Sequence, residues 1–416
     1  MRFIADFHIH SKYSRATSKE MEVETLARWA RKKGLSLLGT GDFTHPTYFS
    51  ELQAKLEPLG NGLLKLKKGD QEIRYILTTE VSNMYPQGGK GRRIHTLIFA
   101  PSFEVVEAIR SKLGPLGKLS SDGRPIFTFS VKDLAKMILD ISEECLIIPA
   151  HVWTPWFSMF GANSGFDSIE ECFGEMSGHI HAVETGLSSD PEMNWRLSAL
   201  DSIALLSNSD AHSPDRLGRE ANAFDCPLDY KEITEAIRKK DRQRLLFTIE
   251  FFPEEGKYHY DGHRDCKVIF SPVETKTNQY LCPKCHKKLT VGVMHRVEEL
   301  ADRPEGYIPK NAIPSIHLIP LGEIIAAALG QRVGTKAVET EYERLVEKGD
   351  SEFRILLDAS PEELASFVPP KILEGIIRMR QGKVSIVPGY DGVYGQITLF
   401  PEKGAEQESK EQLNLF

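Results

Sequence analysis

Across the first 250 residues, short apolar runs alternate with amphipathic stretches. The runs are RFIAD (2–6), LSLLGT (35–40), YILTTEV (75–81), HTLIFA (95–100), CLIIPAH (145–151), HAVETG (181–186) and IALLSNSD (203–210). Bounded by turn residues or helical periodicity, they predict strands in βα units and hence a parallel sheet or barrel. Between the first two runs, Val23, Leu26, Ala27 and Ala30 recur at helical spacing behind a capping-box pair, Thr17 and Glu20. That pattern predicts a helix over 20–33 packed on the sheet. Val131, Leu134, Ala135 and Ile138 behind Ser130 and Asp133 repeat it.

The strand rhythm stops near FFPEEGKYHYDGHRDC, where a His/Cys-rich segment begins and runs to about Arg303. From Tyr307 the pattern turns helical, and the last twenty residues are polar enough for a flexible tail. The expected organisation is a catalytic barrel at 1–250, a small module at 251–305, a mostly helical domain at 306–395 and a tail at 396–416. A chain of 416 residues and 41% hydrophobic content supports more than one core. No apolar run approaches the roughly 18 residues of a membrane span, and the N-terminus lacks the pattern of a signal peptide. A cytoplasmic protein with no membrane partner is expected. The six cysteines then argue against a disulfide framework.

Candidate chemistry gathers at the carboxyl ends of the predicted strands: Asp6, His8 and His10, then Asp42 and His45, Glu80, His95, His151, and Asp210 with His212. In a β/α barrel those ends converge on one face. Because a strand alternates its faces, His8 and His10 point the same way and can chelate one ion. Imidazole with carboxylate favours zinc, manganese or iron over magnesium alone. Several close ions suit phosphate-ester hydrolysis, each acidifying a bound water. His179 and His181, with Glu184 nearby, form a second HxH pair, read as structural because the ligand set is filled without them. In the module, His263, Cys266, Cys282 and Cys285 have the spacing of one tetrahedral structural zinc. His259 and His286 are alternatives to His263 as the fourth ligand.

The order HxH, D..H, E, H, H, DxH resembles the PHP (polymerase and histidinol phosphatase) superfamily over about residues 1 to 225. The resemblance implies an α/β fold, a distorted (β/α)7 barrel carrying two or three divalent metals (Zn, Mn, Mg or Fe). One metal would be held by His8, His10, Glu80 and Asp210. A second would take Glu80 as a bridge with His95 and His151, and a third Asp42, His45 and His212. Asp210, His8 and Glu80 would then be the catalytic core. Many members carry a further histidine shortly after the HxH, where this chain reads SKYSRAT.

The whole succession, barrel motifs, VETGLSSDP, KYHYDGHRDC, CPKCHKKLTVGVMHRVEELADRP and GYDGVYG, resembles the endonuclease Q family. That likeness implies DNA repair: hydrolysis of the phosphodiester 5′ to uracil, hypoxanthine, xanthine or an abasic site by metal-activated hydroxide, leaving a 3′-hydroxyl. The net charge of −7 weighs against nucleic acid in bulk, so the contacts must be local. Lys90, Arg92 and Arg93 in the GGKGRR loop (88–93), immediately before His95, are the best phosphate candidates. A nuclease that senses an altered base must expose its pairing edge, so base flipping is expected. Trp153, Trp156, Phe157 and Phe160, following His151, are candidates to stack on or beside the flipped base. Tyr390 and Tyr394 are a second set. Gln396–Phe400 and Gln412, Leu415 and Phe416 both resemble the QxxLF part of motifs that dock on a PCNA-type sliding clamp. The rival reading is a small-molecule phosphatase of the histidinol-phosphatase kind using the same metals.

Overall fold

A computed structural model of the chain describes residues 2–401. Twelve strands form the N-terminal part: β1 (Arg2–Asp6), β2 (Leu37–Gly39), β3 (Leu56–Pro58), β4 (Leu64–Leu66), β5 (Arg74–Gln87), β6 (Lys90–Ala100), β7 (Ile126–Phe127), β8 (Leu146–Pro149), β9 (Ala182–Glu184), β10 (Ala204–Leu206), β11 (Ala221–Asp225) and β12 (Leu245–Glu250). Strands β1, β2 and β5 pair in parallel, β5 continues through β6 to β8, and β9 pairs in parallel with β10. The ring closes where Ile9, past the end of β1, bridges in parallel to Ala211, past the end of β10. The strands are almost wholly buried, as a sheet covered on both faces requires.

Two departures from simple βα alternation distort this barrel. The runs around Glu80 and His95 are a single antiparallel hairpin, paired from Leu77↔Ala100 to Gln87↔Lys90. Its turn is Gly88-Gly89, both at positive φ (61° and 73°), as a two-residue hairpin turn demands. The stretch GGKGRR is therefore a turn plus a strand, not a loop. Secondly, β1 pairs antiparallel with β11, and β11 with β12.

The second sequence-predicted helix forms as expected at Val131–Ile141, with the Ser130 hydroxyl accepting from the Asp133 amide. The first starts later than expected, at Val23–Lys33, and has no side-chain cap. The Thr17 hydroxyl instead donates to the Arg15 carbonyl, because 11–22 folds as a turn-rich segment over the strand ends.

The His/Cys module is a hairpin of Asp261–His263 with Val268–Phe270, a helix at Pro272–Thr277 and a helix at Val293–Leu300. It is tied to the barrel by ion pairs. Arg296 binds Asp167 at 2.5 Å, and Arg303, just past the last helix, grips both oxygens of Asp201 at 2.7 and 2.5 Å. The helical region follows with Leu321–Leu329, Lys336–Gly349, Pro361–Ala365 and Pro370–Arg380. It is not set apart from the barrel, since Ser315–His317 adds a parallel strand to β12 and Lys33 pairs with buried Glu352 at 2.7 Å. Gln396–Thr398 pairs antiparallel with Ser385–Val387, and Leu399 is buried. The fold thus runs past the expected tail boundary, and the Gln396 copy of the clamp-like motif is built into it. The copy at Gln412, Leu415 and Phe416 lies outside the described residues. No described helix is long and apolar enough to cross a membrane.

Candidate metal centre

His8, His10, His151 and Asp210, just past strand ends, and Glu80 and His95, inside the β5–β6 hairpin, bring their side chains to one buried point. His8 Nε2 lies 3.6 Å from Glu80 Oε2 and 3.6 Å from Asp210 Oδ1; His10 Nε2 lies 3.3 and 3.0 Å from the same two oxygens. On the other side of Glu80, its Oε1 is 2.7 Å from His95 Nδ1 and 3.1 Å from His151 Nε2. The ligand atoms of His8, His10 and Asp210 fall within 4.8 Å of one another, and so do those of Glu80, His95 and His151. His8 Nε2, His10 Nε2 and Asp210 Oδ1 are buried with no hydrogen-bond partner. Orphaned buried nitrogens and oxygens are costly unless a ligand satisfies them, so these donor atoms fit divalent cations. The geometry bears on two of the three expected ligand groups, with Glu80 between them.

The third group is not brought together. Both Asp42 oxygens are already engaged, Oδ1 with His10 Nδ1 at 3.1 Å and Oδ2 with the Ser11 amide, Ser11 hydroxyl and Ser14 hydroxyl at 2.6, 2.6 and 2.9 Å. It sits on the far nitrogen of His10, and among the described residues Asp42, His45 and His212 form no metal-sized group. His45 caps the helix Pro46–Lys55, its Nδ1 accepting from the Tyr48 amide, and its ring stacks on Tyr13 at 4.4 Å. His212 stays at the cleft, its ring 4.6 Å from His10.

Glu184, which sequence reasoning set aside as structural, is the corresponding partner of His8. Its two oxygens lie 2.9 and 3.0 Å from His8 Nδ1, and they also accept from the His151 amide at 2.8 Å and the Asn208 side chain at 2.9 Å. A carboxylate on the far nitrogen of each HxH imidazole fixes the tautomer that aims Nε2 inward. The available signal was its place at a strand end, like the ligands. Asp42, His151 and Asp210 all take positive φ (44°, 31° and 47°), strain of the kind that gathers where side chains must be aimed. Burial alone would raise the Glu80 carboxyl, but His95, Arg124 and His8 hold it well below the usual range. Burial pushes His95 down to about 4, which keeps it neutral and able to bind a cation.

Arg124, absent from the sequence expectations, donates to Glu80 Oε2 at 2.8 Å. With His95, His151, Thr154, Trp156, Phe157, Asp210 and His212 it lines an open cleft of about 420 Å³. The expected DNA-contacting residues separate sharply here. Trp156 is 51% exposed, and Arg93 lies over its ring at 5.4 Å and over Phe157 at 5.7 Å. Trp153, by contrast, is buried, donating to Asn194 at 2.8 Å and packing on Phe160 at 4.9 Å. Arg92 is also buried, stacked on Phe166 at 3.9 Å and held by Glu171 and the Gly165 carbonyl. Lys90 is exposed at the hairpin tip. Tyr390 is buried against Gly262 of the module, while Tyr394 is exposed with Lys257 over its ring. His179 and His181 lie outside the site.

In the module, the ligand atoms of His263, Cys266, Cys282 and Cys285 lie within 4.8 Å of one another, a set that fits a tetrahedral zinc. His259 is buried on Tyr260, and neither it nor His286 joins the cluster.

A barrel that collects imidazoles and carboxylates around orphaned donor atoms beneath an open cleft defines a metal-dependent hydrolase. The family model for the MJ0043 C-terminal domain matches residues 320–383. The chain is 34% identical to the crystal structure of the lesion-specific endonuclease PfuEndoQ from Pyrococcus furiosus, covering 97% of this chain and 96% of that one at a TM-score of 0.86. It is 35% identical to an endonuclease Q solved with a 27-mer duplex substrate bearing an abasic lesion at the active site, covering 98% of each at a TM-score of 0.84. The uncharacterised protein MJ0043 of Methanocaldococcus jannaschii is 36% identical over 259 residues, which are 60% of this chain but 32% of that protein. The chain thus spans about a third of that relative's length. It belongs to the endonuclease Q family and is a metal-dependent endonuclease.

Proposed function

We propose that the protein repairs DNA by hydrolysing the phosphodiester immediately 5′ to a deaminated base (uracil, hypoxanthine or xanthine) or an abasic site. The observation that carries this reading over a small-molecule phosphatase is the shape of the cleft. It is open, its metal-ligating floor is flanked by half-exposed Trp156, and Arg93 backs the Trp156 and Phe157 rings. An exposed aromatic supported by a cation is a stacking platform for a base. The likeness to an endonuclease Q holding a duplex with an abasic lesion supports the same substrate class.

Divalent ions in the barrel would supply an acidified water and neutralise charge on the phosphate. His8, His10 and Asp210 would hold one and His95 and His151 another, with Glu80 between them. Glu184 and Asp42 hold the HxH imidazoles in the competent tautomer. The bond from water oxygen to phosphorus forms as the phosphorus–O3′ bond breaks, and the 3′-oxygen takes up a proton, leaving a 3′-hydroxyl and a 5′-phosphate. Trp156 and Phe157 would stack against the flipped lesion. Zinc in the His263, Cys266, Cys282, Cys285 site would supply folding energy that so small a module cannot draw from its own core.

The test is incubation of the purified protein with magnesium or manganese on end-labelled duplexes that differ only in one cytosine, uracil, hypoxanthine or abasic residue, alongside a chromogenic phosphate monoester. Nicking confined to the altered duplexes is expected. Rapid monoester turnover with every duplex intact would replace this reading with the phosphatase.

A further inference from the structure

Among the described residues that line the cleft, Arg124 is the only lysine or arginine, and its surroundings hold it in place. Its amide and that of Arg15 both donate to Asp122 Oδ1, at 3.2 and 3.4 Å, and the Gly123 amide donates to the Tyr13 carbonyl at 3.1 Å. A Cβ at Gly123 would stand 2.2 Å from Asp42 Oδ2, so the loop carrying Arg124 is pressed against the carboxylate that orients His10. The guanidinium is three-quarters buried and donates to Glu80 through one nitrogen. Among the described residues, its other nitrogens meet no acceptor. A fixed guanidinium fork with spare donors facing a cleft is suited to a planar pair of anionic oxygens.

The guanidinium thus presents positive charge and unused N–H donors to the cleft, the complement of a phosphodiester's anionic oxygens. We infer that Arg124 is a catalytic residue that grips a non-bridging oxygen of the scissile phosphate and, after the cut, the 5′-phosphate of the product. It would stabilise the charge that develops on those oxygens as water adds and the 3′-oxygen leaves. This inference rests on the nuclease reading above.

The test uses the metal-loaded full chain and two readouts. In single-turnover cleavage of an abasic duplex, Arg124→Ala should slow the reaction by about 10²–10³-fold, the loss typical of one preorganised donor. Arg124→Lys should recover part of the rate, and added guanidinium should partly rescue the alanine variant. In binding to a pre-nicked duplex, the wild type should prefer a 5′-phosphate over a 5′-hydroxyl by about tenfold or more, a preference that Arg124→Ala loses. Metal content should stay unchanged in both variants. An Arg124→Ala protein that cuts at the wild-type rate, or that keeps the 5′-phosphate preference, overturns the assignment while leaving the nuclease reading intact. A wild type that cuts no duplex overturns both. Loss of bound metal in Arg124→Ala together with Arg124→Lys would make the residue a keeper of Glu80 and also overturn the role.

Discussion

Replacing Glu184 by glutamine keeps its size and removes only its charge and half of its acceptors. The native carboxylate accepts from three donors: His8 Nδ1, the His151 amide and the Asn208 side chain. A glutamine offers one oxygen and one NH2, so its NH2 must face either the His151 amide or the Asn208 NH2. Asn208 cannot turn its oxygen inward freely, because that oxygen already accepts from the Phe7 amide at 2.9 Å and from Asn222 at 3.0 Å. One buried donor is left unmatched, at a cost of roughly 1–3 kcal/mol. The His8 tautomer also loses its anionic anchor, and removal of such a partner typically lowers metal affinity about 10–100-fold. Glu184→Gln is therefore expected to lower the metal-free melting temperature modestly, weaken barrel-metal binding by about 10–100-fold in a chelator competition, and recover much of its cleavage at saturating metal. Wild-type metal affinity in this variant would refute the claim that Glu184 orients a ligand.

Cys282→Ser should cost one equivalent of zinc and unfold the module, seen as proteolytic cleavage within 255–300; retention of both the metal and protease resistance would exclude a structural zinc. Trp156→Ala should weaken binding of a lesion duplex by about tenfold or more, as loss of one stacking contact does, without changing the melting temperature. Trp153→Ala should do the reverse, costing about 3–5 kcal/mol of stability as a buried indole. Equal effects of the two would undo the division drawn between them. Burial pushes the Glu250 carboxyl up from 4.5 to about 8, so the folded chain keeps a proton that the unfolded chain releases. The stability this gives is full below about pH 4.5 and is lost as pH rises towards 8. Glu250→Gln should therefore raise the melting temperature at pH 8 far more than at pH 5; a gain independent of pH would contradict the burial argument.

Much of the metal centre was readable from the chain because barrel topology makes strand ends converge, whatever their spacing in sequence. His8, His10, His151 and Asp210 follow apolar runs and meet there, whereas Glu80 and His95 reach the same point from inside the β5–β6 hairpin, which the apolar runs alone did not reveal. Coordination and orientation were not separable in the same way. Asp42 and Glu184 are carboxylates at strand ends like Asp210, and only the hydrogen bonds that occupy their oxygens set them beside the imidazoles. Arg124 follows no strand, so nothing in the periodicity marked it. Among the basic residues the missed feature was the hairpin. Read as a loop, GGKGRR makes Arg92 and Arg93 equivalent; on β6 they face opposite sides, so Arg93 shares the cleft side with His95 and Arg92 goes under Phe166. The helix expected at 20–33 began late because a Thr-x-x-Glu pair is a cap only where the backbone leading into it is free to adopt the cap geometry.

The decisive measurement is nucleotide-resolution mapping of the cut in a 5′-labelled duplex carrying one abasic site, for the wild type, the wild type with EDTA and Asp210→Asn. A single metal-dependent incision directly 5′ to the lesion, with a ligatable 3′-hydroxyl and no product from Asp210→Asn, is the predicted result. Incision that survives EDTA, falls elsewhere, or proceeds at full rate in Asp210→Asn would contradict hydrolysis at the barrel's metal centre.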